Sequence, residues 1–178
     1  MSRFILFTVI AVVLADGLAP RAFAQDVKPI NLSLVEPIQI YNRDTAIHGF
    51  RFNLIYGNNA GIKGVDIGLA NWNTSYFVGL QWGVVNWTEG DFTGWQTGPV
   101  NNVGGFMTGL QTSALVSMNK SGKGFQGSAV TYSEDFIGLQ LGIVNYAVEL
   151  HGIQIGLINV IKNGGMLPFF PIFNFSFD

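Results

Sequence analysis

The chain has 178 residues, 48% of them hydrophobic, and a formal net charge of −2. Only 11% are Asp, Glu, Lys or Arg, well below the ~25% of ordinary soluble domains, so lipid or stacked protein is expected to cover part of the surface. The near-neutral charge excludes an electrostatic nucleic-acid binder, and the absence of Cys excludes disulfides, thiol chemistry and a lipidated cysteine.

The first element in the chain is a targeting segment. Arg3 precedes an apolar run, Phe4 to Ala15, that is too short to span a bilayer, and Ala22-Phe23-Ala24 is a small-x-small cleavage pattern. Residues 1–24 therefore read as a bacterial secretory signal peptide, and residues 25–178 as one all-β repeat domain. Without Arg3, Asp16 and Arg21, the remainder carries 7 basic and 10 acidic residues, net −3.

Asn31–Tyr41 (NLSLVEPIQIY) reads as a strand. Eight tandem copies follow, anchored on a first glycine at 49, 64, 79, 94, 109, 124, 138 and 152. The clearest are GLQWGVVN (79–86), GLQLGIVN (138–145) and GIQIGLIN (152–159); Gly109–Val116 and Gly124–Thr131 are degenerate. The copies are spaced by 15 residues, then by 14. Within a copy, Leu80, Trp82 and Val84 alternate with Gln81 and Gly83, a period of two that predicts a strand. Turn-forming residues lie between copies (TEGD 88–91, NNVGG 101–105, NKSGK 119–123, SED 133–135, KNGG 162–165), and most charges fall there.

Arg51 and Asp66 are the exceptions. With Gln81, Gln96, Gln111, Gln126, Gln140 and Gln154 they occupy position 3 of successive copies, forming one polar stripe across the sheet. Arg51 and Asp66 are expected to pair, because a single buried charge is costly. The stripe reads as a self-satisfying polar core; a ligand- or ion-lining surface is the alternative.

Two architectures fit this pattern. An antiparallel outer-membrane-type β-barrel needs tilted strands of about 9–11 residues plus a turn. Asn31–Tyr41, the eight copies and Phe169–Phe177 would supply about ten strands, an even number as such barrels require. The Leu/Trp/Val face would meet lipid, the Gly/Gln face would fill the lumen, and the tryptophans and tyrosines would form an interfacial girdle. Phe173, Phe175 and Phe177 alternate to the penultimate residue, resembling a C-terminal barrel-assembly signal. A β-solenoid is the alternative: its identical residues would stack as Gln and Asn ladders, its one-strand period suits that arrangement, and Pro99 would cost a barrel strand a hydrogen bond.

The GΦQΦGΦΦN units (Φ, apolar), the opening VEPIQI…GFRFNLIYG and the closing PFFPIFNFSF resemble a family of bacterial surface-repeat proteins with tandem GLQIGL-N units, including leptospiral surface-repeat proteins. The resemblance covers almost all of residues 25–178. It implies export to the outer membrane or cell surface of a Gram-negative-type bacterium, and it brings no catalytic residues.

The residues themselves suggest no reaction. His48 and His151 are isolated, so no metal or cofactor site is expected. No GxSxG elbow occurs, and Gly104-Gly105 and Gly164-Gly165 precede no helix that could hold a phosphate. The expectation is a non-enzymatic cell-envelope barrel with a filled lumen, partnered by the lipid bilayer and the barrel-assembly machinery and not by nucleic acid. The alternative is an exported solenoid acting as a binding or adhesion module.

Overall fold

The computed structural model describes residues 26–177; the signal peptide expected at residues 1–24 lies outside the described residues. The chain forms β1 (Val27–Val35), β2 (Ile38–Gln39), β3 (Ala46–Thr88), β4 (Asp91–Thr97), β5 (Val100–Thr112), β6 (Val116–Asn163) and β7 (Phe169–Ser176). β3 and β6, of 43 and 48 residues, wind through several copies without a break.

The fold is a parallel β-solenoid of about seven turns, not a barrel. Each copy lies beside the next with its strand running the same way: Gly79 opposite Gly94, Gln81 opposite Gln96, then Gly94 opposite Gly109 and Gln96 opposite Gln111. A barrel with short joints would need antiparallel neighbours. The strand order is linear, β2-β1-β3-β4-β5-β6-β7, and β7 does not return to β1. In-register parallel stacking brings every repeat position beside its own equivalent. Antiparallel pairing would reverse alternate copies and could align few positions at once. The one-strand period therefore satisfies several like-on-like columns together only in the solenoid.

Four columns fill the thin interior. Position 1 is glycine in all eight copies, with φ between +121° and +154°. A Cβ there would overlap the carbonyl oxygen of the preceding copy's first glycine, as at Gly79 against Gly64. Backbone conformation and close approach both demand glycine. Position 3 is the Arg/Asp/Gln stripe and position 8 an Asn column. The residue two before each first glycine supplies the apolar column: Ile47, Ile62, Phe77, Phe92, Met107, Phe136 and Leu150 are buried, with Gly122 in the sixth place. Phe77 and Phe92 stack at 5.1 Å between ring centroids.

The expected turns are mostly strand. Residues 101–105, 119–123 and 133–135 lie within β5 and β6, with a register shift between Val103 and Phe106 at Gly104-Gly105. Among the described residues the coils break at Glu89-Gly90, Gly98-Pro99, Ser113–Leu115 and beyond Asn163. Pro99 thus falls between strands, and its carbonyl still accepts from the amides of Leu115 and Val116.

Both ends are covered by the chain itself. β1 runs parallel to the first copy and places Asn31 over Arg51. β7 pairs antiparallel with the last copy, setting Asn174 opposite Gln154, Phe173 opposite Ile155 and Phe175 opposite Ile153. The strand expected to close a barrel therefore caps a solenoid, and Phe173, Phe175 and Phe177 belong to that cap.

Candidate functional site

The position-3 stripe is a continuous hydrogen-bonded interior, and all eight side chains are 0% exposed. Gln154 donates its amide to Gln140 at 2.8 Å, Gln140 to Gln126 at 2.7 Å, Gln126 to Gln111 at 3.0 Å, Gln111 to Gln96 at 2.8 Å and Gln96 to Gln81 at 2.9 Å. Gln81 donates to Asp66 Oδ2 at 3.1 Å. The amide dipoles all point the same way and end on the Asp66 carboxylate.

Asp66 is neutralised from the other side. Arg51 makes a bidentate pair, Nε to Oδ1 at 2.7 Å and a guanidinium NH₂ to Oδ2 at 2.6 Å, while Asn53 donates to Oδ1 at 3.1 Å. The remaining Arg51 nitrogen reaches Asn59 Oδ1 at 3.2 Å and the Trp72 carbonyl at 3.0 Å. Such a pair offsets the cost of burying two charges because its donors and lone pairs are satisfied. The ladder is filled by its own side chains and leaves no room for a ligand.

The Asn column runs in the opposite sense. Asn53, from position 5 of the first copy, donates to Asn71, Asn71 to Asn86 and Asn86 to Asn101, at 2.8 to 2.9 Å. It stops where position 8 becomes Val116, then resumes: Thr131 donates to Asn145 and Asn145 to Asn159, each at 2.8 Å. Position 5 is small because this column and the carbonyl of the preceding copy both crowd it; a Cβ on Gly98 would overlap the Gly83 carbonyl oxygen. A Cβ on Gly83 would lie 2.9 Å from Asn86 Oδ1, and one on Gly142 2.8 Å from Asn145 Oδ1.

His48 Nε2 is 3.1 Å from the Tyr76 hydroxyl, and His151 is exposed at the rim of the last copy. Among the described residues no group of His, Asp and Glu could hold a metal ion. Burial raises the Tyr76 phenol above its ordinary value. Burial, followed by the Glu36 charge, raises that of Tyr56. Trp72 and Trp87 occupy equivalent positions in neighbouring copies and stack at 4.9 Å, as Tyr132 and Tyr146 do at 5.5 Å. These are columns along the solenoid and not the membrane girdle expected of a barrel.

The outward surface is uncharged along three columns. Positions 2, 4 and 6 of the eight copies hold no charged residue, and they alternate outward from one stretch of strand. Phe52, Leu54, Leu69, Trp82, Val84, Leu141, Ile143, Ile155 and Leu157 are all exposed, Trp82 at 57% and Leu157 at 70%. Ile30 and Leu32 of β1 extend the face at one end and Phe173 at the other. Toward the N-terminal end it holds a groove of about 340 Å³, floored by Asn53, Gly68 and Gly83 and walled by Phe52, Leu54, Ile67, Leu69, Trp82 and Val84. The glycines that make room for asparagine inside thus leave a trough outside. From the sequence these residues are expected to form the outward, lipid-facing side of a barrel; parallel stacking instead places them on one side of a solenoid.

No family model, curated protein or solved structure matches the chain.

Proposed function

We propose that this protein is a non-enzymatic, exported β-solenoid that serves as a binding or adhesion module at the bacterial surface, docking through the face formed by positions 2, 4 and 6. The single observation behind this reading is that face: three adjacent outward columns, uncharged along eight copies and apolar except at Thr97, Thr112 and Gly127. Free-standing soluble proteins rarely leave so large a contiguous apolar patch uncovered. The interior ladders support it as a scaffold. They hold the face flat and rigid while leaving no cavity for catalysis along their length.

The reading is tested by expression in a diderm bacterium followed by cell fractionation. The protein should leave the envelope fraction with a chaotrope, without detergent, and show no heat-dependent shift on gels. Leu141→Asp, on the face, should release the folded protein from its bound fraction. Ser75→Asp, at an exposed site outside positions 2, 4 and 6, should not. Equal retention of both folded variants would overturn the proposed docking face.

A further inference from the structure

The relief of this face indicates what covers it. In the outer copies all three columns are bulky, as in Phe50, Phe52 and Leu54 or Leu139, Leu141 and Ile143. In the copies beginning at 94, 109 and 124, bulk is confined to position 2. There position 2 holds Trp95, Leu110 and Phe125, whereas position 6 holds Pro99, Ala114 and Ala129. The position-2 rings also lean over the small position-4 residues. Trp95 Nε1 donates to Thr112 Oγ1 at 2.9 Å, and a Cβ on Gly127 would lie 2.7 Å from the Phe125 ring. The middle of the face is therefore high along one side and low along the other.

Resting on the reading that this face docks, we propose that its partner is a second copy of this chain, packed face to face about a two-fold axis parallel to the solenoid axis. That operation sets each copy of the repeat against the same copy of its partner with the strands reversed, so position 2 of one chain meets position 6 of the other. Trp95, Leu110 and Phe125 then lie over Pro99, Ala114 and Ala129. The other in-plane two-fold, parallel to the strands, sets position 2 on position 2 and position 6 on position 6. It leaves bulk on bulk beside a gap, which close-packed interfaces do not tolerate.

Size and charge agree with this partner. From β1 to β7 the face is about ten strands wide, or about 45 Å at ~4.8 Å per strand, and about 15 Å across. The footprint is on the order of 700 Å² per chain, close to the ~800 Å² per partner of a standard stable interface. With no charges in its columns, the face pairs with its own equivalent without burying an unpaired ion. Sheet-on-sheet packing about 10 Å apart needs no change of backbone.

The absence of cysteine makes the test clean. The mass of the purified full chain would be measured by sedimentation over a range of concentrations, for the natural sequence and for Ala114→Asp. Single-cysteine variants would then be treated with a short thiol-reactive bis-maleimide that spans two sheets packed about 10 Å apart, a gap too wide for a direct disulfide, and binding to neutral phosphatidylcholine vesicles measured in parallel. A dimer is expected. Ala114→Asp should raise its dissociation constant by about a hundredfold or more, with unchanged circular dichroism. Ile67→Cys should cross-link to its own equivalent. A dimer in which Ile67→Cys links only to Leu141→Cys would overturn the copy-on-copy arrangement. A monomer that binds vesicles, and loses that binding in Ala114→Asp, would overturn the second copy while leaving the docking face intact. A monomer that binds no vesicles and ignores Ala114→Asp would overturn both.

Discussion

The regular copies beginning at Gly64, Gly79 and Gly94 differ instructively from the degenerate ones beginning at Gly109 and Gly124. All five keep glycine at position 1 and a polar acceptor at position 3. Positions 5 and 8 change, and they change together. Gly68 goes with Asn71, Gly83 with Asn86, Gly98 with Asn101, Gly142 with Asn145 and Gly156 with Asn159, whereas Ser113 goes with Val116 and Ser128 with Thr131. Position 5 is free to carry a side chain only where position 8 no longer supplies the amide that would collide with it. The glycine at position 1 answers to the backbone of the neighbouring copy, which every turn retains. The glycine at position 5 answers to both: a Cβ there would overlap the carbonyl oxygen of the preceding copy, as at Gly98 against Gly83, and an Asn amide, as at Gly83 against Asn71. The two glycines thus differ in that position 5 alone also answers to a side chain, and position 5 alone varies.

The largest expected effect lies where the ladder meets charge. Asp66→Leu removes the acceptor of Arg51, Asn53 and Gln81 together and should destabilise by about 3–5 kcal/mol in denaturant unfolding. Arg51→Met in the same chain should recover much of that loss, and no coupling between the two would mean that the pair does not act as one unit. Next comes the ladder shared by regular and degenerate copies. Gln96→Leu leaves Gln81 Oε1 without its donor and Gln111 with only the Met118 carbonyl as acceptor, at a cost of about 2–4 kcal/mol. Gln126→Leu should cost a similar amount although its copy is degenerate, because position 3 does not share in the degeneracy.

The paired positions give a smaller and sharper test. Gly83→Ser should destabilise by about 1–3 kcal/mol, because the new side chain meets Asn71 and Asn86. Ser128→Gly should cost no more than about 1 kcal/mol. Val116→Asn should be tolerated better with Ser113→Gly than alone, and a double-mutant cycle measures that coupling directly. Purely additive values would break the proposed link between the two positions.

The smallest effect is alkaline. The folded Tyr76 phenol sits above its ordinary 10.0 because of burial, and Tyr56 is raised in the same direction. The folded state therefore holds these protons more tightly than the unfolded state. The resulting stability is complete below the unfolded value and is lost as pH rises through the folded one. The melting temperature should fall above about pH 10, and Tyr76→Phe should reduce that fall.

Much of this was legible in the residues. The period of two at Leu80–Val84, the eight glycine anchors and the Arg51-to-Gln154 stripe all follow from spacing. The choice between barrel and solenoid did not, because a strand alternates in either. The deciding signal is like residues at like positions in consecutive copies, which the Gln and Asn positions already suggest and the aromatic pairs extend. Trp72 with Trp87 and Phe77 with Phe92 can stack only when neighbouring strands run parallel and in register. The joints were misread because Gly, Asn and Ser usually mark turns. At 101–105 and 119–123 these small and polar residues instead suit a continuous strand winding around a narrow coil, where neighbouring copies leave little space. The apolar face at positions 2, 4 and 6 reads as the lipid-facing side of a barrel; stacking makes it one side of a solenoid.

Parallel in-register winding is the claim from which the ladders, the coupled positions and the flat face all follow. Val78 and Thr93 are direct partners in neighbouring copies, about 4.8 Å apart between parallel strands, within the range a disulfide can bridge. Oxidation of the Val78→Cys/Thr93→Cys variant should give near-complete intrachain disulfide, visible as a faster non-reduced band, with a retained or raised melting temperature. In an antiparallel hairpin joined at residues 88–91, the two positions would lie several residues out of register. Failure of the folded variant to form this bond, with a Val78→Cys/Asn101→Cys variant bridging instead, would contradict the solenoid.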